Sequence, residues 1–307
     1  MRNKFSEIVS KIGYRDERIC VVVADISPAG AMIKFREKFP KRFINCGVAE
    51  QSMIGIAAGM ALRGMRPFCY TIASFSLFRP FEMVRVDLCY QNLPVTIVGM
   101  GAGSTYSTLG GTHLTQEDIS IARSIPNMNI IAPCDPNELE EAINYCSKKS
   151  KNPVYLRIGK VGEKNFTDKK SEKWKFGKIR LIKPGKEICI LTFGPITKKA
   201  FEVSEMLSKN KIFPQIYSCH TLKPFDYNGL KKIFTKFKKI IIIEDHSEIG
   251  GLSQIVKTNA YEARYKGNIV SFSLQDKFIH CYGSQDDLLA KHGIKNKVIY
   301  KKIIKTI

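Results

Sequence analysis

The chain has 307 residues, 44% of them hydrophobic and 25% charged, an ordinary globular composition that excludes a disordered polymer or a small disulfide scaffold. At about 150 residues per domain it has room for two, each with a sizeable core. The 49 Lys and Arg against 28 Asp and Glu give a formal charge of +21, but the lysines are scattered. No basic-aromatic ladder, zinc-finger spacing or RNA-binding signature accompanies them, so surface lysine enrichment explains the charge better than nucleic-acid binding does.

Strand-like and helix-like segments alternate along the first half. Arg18–Ala24 is a short β-branched run suited to a buried parallel strand. Ala29–Phe39 is helix-like, Phe43–Cys46 strand-like, and Ala49–Leu62 a helix apolar on nearly every face. Pro67–Thr71 reads as a strand, Phe75–Tyr90 as one helix and Pro94–Met100 as a buried strand. A Gly/Ser/Thr-rich loop, Ser104–Gln116, follows. After it come a helix over Glu117–Ile125, a strand over Asn129–Ala132, a helix over Pro136–Ser147 capped by Asp135, and a strand over Val154–Ile158. The pattern predicts an α/β domain over residues 1–160 with a mostly parallel sheet.

Residues 161–180 are polar, Lys-rich and short of apolar period, as a linker would be. A second α/β domain is expected over 181–307. Its strands are Glu187–Phe193, Phe213–Cys219 and Lys239–Glu244. Its helices are Ile196–Lys209, Asp226–Phe237, Gly250–Glu262 and a tail from Gly283 to Tyr300. The nine cysteines include no CxxC pair, and Cys20, Cys69, Cys89 and Cys189 sit in apolar runs, as small buried hydrophobes in a reducing compartment do. The start has no long apolar signal region, and Phe43–Leu62 carries Asn45, Glu50 and Gln51, which suits a buried helix better than a membrane span. A soluble, cytoplasmic protein is expected.

Three features can carry chemistry. Glu50 is the only charge between Arg42 and Arg63 and opens an apolar helix. Lost hydration there favours the protonated carboxyl, which can donate a hydrogen bond to a ring nitrogen. The plainer alternative is a carboxylate set against the helix dipole. Phe75, Phe78 and Phe81, spaced i, i+3, i+6, would share one helix face, as a core stripe or as a wall against a flat heteroaromatic ring. His113, in LGGTHLTQED, is either a proton shuttle or a solvated loop histidine. Gly99–Ser104 lacks the last glycine of a dinucleotide fingerprint, and no P-loop, GDG, HExxH or CxxC motif occurs, so no metal site is expected on this chain.

Together, FINCGVAEQSMIGIAAGMALRGMRPF, YTIASFSLFRPFEMVR, QNLPVTIVG, GGTHLTQEDIS, IPNMNIIAPCDPNEL and PVYLRIGK resemble the pyrimidine-binding domain of transketolases and deoxyxylulose-phosphate synthases. EICILTFGPITKKAFEVSEML, TLKPFD, IIIIEDHSEIGGLSQIV and YGSQDDLLAKHGI resemble the transketolase C-terminal domain, so the likeness covers essentially the whole chain. Transketolases also carry an N-terminal domain that grips thiamine diphosphate and Mg²⁺. The resemblance therefore implies the C-terminal subunit of a split enzyme, paired as a homodimer inside a heterotetramer with an N-terminal partner subunit that holds the metal. In this family a glutamate matching Glu50 bonds the aminopyrimidine ring and starts catalysis. Phe75, Phe78 and Phe81 match the aromatic pocket, and Asp25 and Ile26 the segment lining the cofactor. His113 matches a histidine that contacts substrate or moves protons, and Arg157 and Arg2 match positions that hold an acidic substrate tail.

Three sugar-phosphate positions depart from the family pattern. A hydroxyl-binding aspartate is replaced by Leu109, a phosphate-binding serine by Ala29, and a phosphate-contacting histidine by Gly101. The resemblance thus implies two-carbon ketol transfer from a ketose to an aldehyde, with a donor outside the pentose-phosphate norm. A thiamine-dependent 2-oxo-acid enzyme and a non-catalytic scaffold that keeps the fold are the alternatives.

Overall fold

The computed structural model describes residues 1–25, 32–160, 162–168 and 171–306. The β-branched runs are among twelve strands in the described residues. In chain order these are β1 (Ile19–Val23), β2 (Phe43–Asn45), β3 (Arg66–Ile72), β4 (Thr96–Met100), β5 (Asn129–Ile131), β6 (Val154–Ile158), β7 (Arg180–Lys183), β8 (Ile188–Thr192), β9 (Gln215–Ser218), β10 (Thr221–Lys223), β11 (Lys239–Ser247) and β12 (Asn268–Leu274). Every residue of β1, β4, β5, β6 and β8 is buried, as strands packed between helix layers must be.

The first sheet runs β10-β5-β6-β4-β3-β1-β2 and the second β12-β11-β8-β9-β7. All pairings are parallel except β10 on β5 and β7 on β9. This is the two-domain α/β architecture expected from the alternation. The short strand β10, from the second half of the sequence, closes the edge of the first sheet. One hydrophobic cluster also runs from Met53, Ile54 and Ile97 through Leu191, Phe193 and Ile242, so the two halves share a core.

Four elements go beyond the sequence expectation. Helix Arg2–Gly13 buries Phe5, Ile8, Val9 and Ile12, an apolar spacing that is legible in the sequence. Strands β7 and β10 are short pieces with weak periodicity, whereas β12 is an edge strand whose buried Val270, Phe272 and Leu274 alternate with serines, a period-2 signal that is legible in the sequence. The expected helix Phe75–Tyr90 is broken into Ala73–Leu77, a short turn Phe81–Met83 and a π-helical stretch Val84–Tyr90. Pro80 lies at the break and has no N–H to continue the ladder. The expected tail helix is two helices, Gln285–Lys291 and Asn296–Thr306, parted at Gly293 with φ +78. The segment read as a linker is laid on the protein where it is described. Thr167 caps onto Asp135 Oδ2 through its N–H and hydroxyl, and Phe176 stacks on Tyr145 at 4.1 Å.

Candidate active site

The candidate residues gather at the carboxyl ends of β1, β2, β3 and β4, the place where open parallel sheets bind ligands. Asn45, at the end of β2, organises the first two strand ends. Its side-chain oxygen accepts the Asp25 N–H and the Gly47 N–H, both at 3.0 Å, and its amide donates to Asp25 Oδ1 at 3.3 Å. Asp25 is held at φ 44, in the left-handed region where a non-glycine residue is strained. Ile26, expected beside it, and Ala29 lie outside the described residues.

The loop that Asn45 fixes leads into helix Glu50–Leu62. Glu50 is its first residue and only 4% exposed. Its carboxylate meets Arg79, whose Nη1 donates to Oε1 at 3.1 Å and to Oε2 at 3.2 Å. The same guanidinium lies over the Phe75 ring, 4.3 Å from its centroid. Phe75 in turn meets the His113 ring edge-on at 5.1 Å, and His113 meets Tyr106 at 6.1 Å. Glu50, Arg79, Phe75, His113 and Tyr106 therefore form one continuous wall. Burial, and then the Arg79 charge, hold the His113 imidazole below its ordinary pKa, which favours the neutral ring. Thr112 Oγ1 is 2.9 Å from its Nδ1.

The aromatic stripe does not present one face. Phe75 packs on the cluster containing Val98, Met100 and Tyr106, whereas Phe78 and Phe81 pack on the cluster containing Met53 and Leu88. The helix that carries Phe75 ends at Leu77, between Phe75 and the other two rings. Arg2 lies near Tyr70 and Tyr106, and its buried Nε has no hydrogen-bond partner among the described residues. Lys160 joins this corner, with its Nζ 4.7 Å from the Tyr106 ring centroid.

Arg157 is placed differently from the expectation. It is 2% exposed, with Nε donating to Asp118 Oδ2 at 2.9 Å and Nη2 to the Asp245 carbonyl at 2.8 Å. A residue so buried and paired joins the two domains and presents no fork to a substrate. The altered family positions also have a structural account. Gly101 has φ +67, and a Cβ there would fall 2.2 Å from the Tyr106 ring, so Tyr106 fills the space a side chain would need. Leu109 is 47% exposed at the loop tip.

Arg79, Tyr106, Asn45 and Lys160 were not singled out from sequence. Arg79 had a signal, a cation between Phe78 and Pro80 in the aromatic segment. Tyr106 and Lys160 had none, because only the fold brings them to His113. Among the described residues no group of His, Cys, Asp or Glu could hold a metal ion, and no helix is long and apolar enough to cross a membrane.

Residues 1–161 match the transketolase pyrimidine binding domain and residues 177–299 the transketolase C-terminal domain. The chain belongs to the transketolase family. It corresponds to the C-terminal half of a transketolase, in the domain order expected. A subunit of the apulose-4-phosphate transketolase of Phocaeicola vulgatus is 28% identical over 306 residues, spanning 100% of this chain and 97% of that one. A 1-deoxy-D-xylulose-5-phosphate synthase of Clostridium tetani is 31% identical across 98% of this chain but only 48% of its own length, so the chain spans about half of that relative. A solved split-gene transketolase, an inactive β4 tetramer, aligns with a TM-score of 0.89 at 29% identity, covering 99% of this chain and 97% of that one.

The site suits the family's cofactor. Arg79 offers a planar N–C–N edge that is stacked on Phe75 and hydrogen-bonded to Glu50, which is the combination an aminopyrimidine ring would need. Arg79 is 48% exposed at its side chain, so its contacts with Glu50 and Phe75 are open to solvent on one side.

Proposed function

We propose that this chain is one subunit of a two-chain, thiamine-diphosphate-dependent transketolase that moves a two-carbon ketol unit from a ketose to an aldehyde. The observation that carries this is the buried Glu50 carboxyl, joined through Arg79 to the Phe75 ring, with His113 edge-on to the same ring. Thiamine diphosphate, when bound, supplies the electron sink for breaking and making the carbon–carbon bond. Glu50 holds a proton against the pyrimidine nitrogen, and Phe75 fixes the ring plane, with Phe78 and Phe81 backing the segment that carries it. Asp25, just past the end of β1, lines the cofactor, and Ile26, which lies outside the described residues, is assigned the same task from the family likeness alone. His113, biased to the neutral form, accepts or returns a proton at a substrate hydroxyl.

Arg2 is retained as a ligand for an acidic substrate tail, while Arg157 is reassigned to domain joining. Mg²⁺ and the diphosphate belong to the N-terminal partner subunit, as the family's division of the site implies. A homodimer of this chain at the centre of a heterotetramer is supported by the outer face of helix Glu50–Leu62. A Cβ added at Gly55 or Gly59 would meet nothing within 4 Å, and Ile56 is 38% exposed. A second helix can pack closely there. The cytoplasm is the proposed compartment.

The test mixes this chain with its N-terminal partner, thiamine diphosphate and Mg²⁺, and measures aldehyde release from a ketose panel and carbon dioxide release from pyruvate. Ketose cleavage that needs both chains supports the proposal. Pyruvate decarboxylation without ketose cleavage would move the chain to the 2-oxo-acid reading, which the match to a synthase also fits. An assembled pair that neither binds the cofactor nor turns over would favour the scaffold.

A further inference from the structure

The loop that carries His113 is held by the other domain. At its first end, Gly103 and Thr115 form an antiparallel bridge, with the Gly103 N–H donating to Thr115 Oγ1 at 2.7 Å and the Thr115 N–H to the Gly103 carbonyl at 3.1 Å. Next to that bridge, the Ser104 N–H donates to both carboxylate oxygens of Asp245 at 3.1 Å. Asp245 lies near the end of β11, in the second sheet, and is 4% exposed. Gln285, the first residue of helix Gln285–Lys291, donates from Nε2 to Asp245 Oδ2 and to Ser104 Oγ, both at 3.2 Å. The Ser247 N–H closes the far end by donating to the Gln116 carbonyl at 2.6 Å.

The clamp is itself braced. Arg157, from β6 of the first sheet, donates to the Asp245 carbonyl and to Asp118, and Tyr155 donates to the same Asp118 oxygen at 2.7 Å. Gly103 has φ +71, and a Cβ there would fall 2.4 Å from Asp245 Oδ2, so this close approach needs glycine. At the loop tip, Gly110 (φ +78) abuts Tyr282, another residue of the second domain. The bonds from the Ser104 and Gly103 N–H groups are buried, where a lost acceptor leaves a donor with no water to turn to.

We infer that Asp245, together with Gln285, is a positioning residue for His113: the C-terminal domain sets the active-site loop through the Ser104 N–H. The inference rests on the reading of His113 as a residue that works on substrate. It assigns a task to the second domain, which contributes none of the catalytic or cofactor-binding candidates.

The test uses the full chain, as wild type, Asp245→Ala and the milder Gln285→Ala, which leaves the Asp245 carboxylate and its bond from the Ser104 N–H in place. Amide hydrogen exchange is followed across residues 104–116 and, as an internal reference, across helix Glu50–Leu62. Each variant is then assembled with the N-terminal partner for cofactor affinity and steady-state kinetics. Loop exchange should rise by roughly tenfold in Asp245→Ala, which removes both acceptors of the Ser104 N–H, the loss expected for one buried hydrogen bond, and by less in Gln285→Ala, while the reference helix stays unchanged. In the assembled enzyme kcat/KM for the sugar should fall while cofactor affinity stays within about twofold, the mark of a misplaced substrate-side group. Unchanged loop exchange in a folded variant would overturn the inference. So would a rise shared equally by the reference helix, which would make Asp245 merely structural. A loop that loosens in both variants, in an assembly that turns over no ketose even as wild type, would sustain the clamp and sink the transketolase reading instead.

Discussion

Replacing Glu50 with alanine should separate chemistry from stability. The carboxylate is buried, but its partner Arg79 is half-exposed at its side chain. A pair open to water on one side contributes about 0.2–1 kcal/mol. The carboxylate's place in the first turn of helix Glu50–Leu62 adds about 0.3–1 kcal/mol from the helix dipole. Alanine also removes the cost of desolvating the carboxylate and has high helix propensity, both of which offset the loss. The net destabilisation should therefore stay near about 1 kcal/mol, which for a chain of this size is a Tm shift of roughly 2–4 °C. The loss of a proton-transfer group is of another order, about 10²–10⁴ in rate. Glu50→Gln keeps the shape and one acceptor and should lose nearly as much rate with even less stability. The assay pairs urea midpoints with turnover by the two-chain enzyme. A rate loss below about tenfold, or one matched by an equal loss of folded protein, would refute the assignment of Glu50 to proton handling.

Three further outcomes follow from the geometry. Removing Arg79 as Arg79→Ala should raise the His113 pKa toward its ordinary value, since the Arg79 charge helps lower it; the His113 ring proton signals, titrated by NMR, check this. His220 is fully buried, and its pKa is lowered from 6.5 to about 4, chiefly by burial, so the fold prefers the neutral ring. Its contribution should be complete above about pH 6.5 and lost as pH falls through about 4, a total of about 3 kcal/mol. Trp174, the only tryptophan, stacks on His220 at 4.8 Å and reports the change by fluorescence; a midpoint stability flat from pH 7 to pH 4 would contradict it. Gly101→Ala should cost roughly 1–3 kcal/mol in urea denaturation, because the new methyl meets the Tyr106 ring at a backbone angle that favours glycine.

Much of this was legible before the fold was seen, and the misses have physical causes. β1, β4 and β6 announced themselves as β-branched runs, and Asp135 as a cap whose side chain accepts the Glu138 N–H at 2.8 Å. Glu50 stood out as a lone charge on an apolar helix, and its burial follows from that setting. What the sequence could not convey was its partner, because Arg79 lies 29 positions away and is brought in by the turn at Pro80. Arg157 shows the limit of carrying a role across by motif. Its position matched, but the neighbours Asp118 and Asp245, from two different domains, claimed its guanidinium. The break in the aromatic segment was foreseeable from Pro80. The crossover of β10 into the first sheet was not, since a three-residue edge strand carries almost no periodic signal.

The central claim is that this chain supplies half of a thiamine diphosphate site and needs a second chain to complete it. The most direct test is calorimetric titration of thiamine diphosphate, with Mg²⁺, into this chain alone, into the N-terminal partner alone, and into the two together. The account predicts tight, saturable binding only in the mixture, one cofactor per pair of unlike chains, and weaker binding when Glu50→Ala replaces the wild type. Equally tight binding to this chain alone, or binding in the mixture that ignores Glu50, would contradict it.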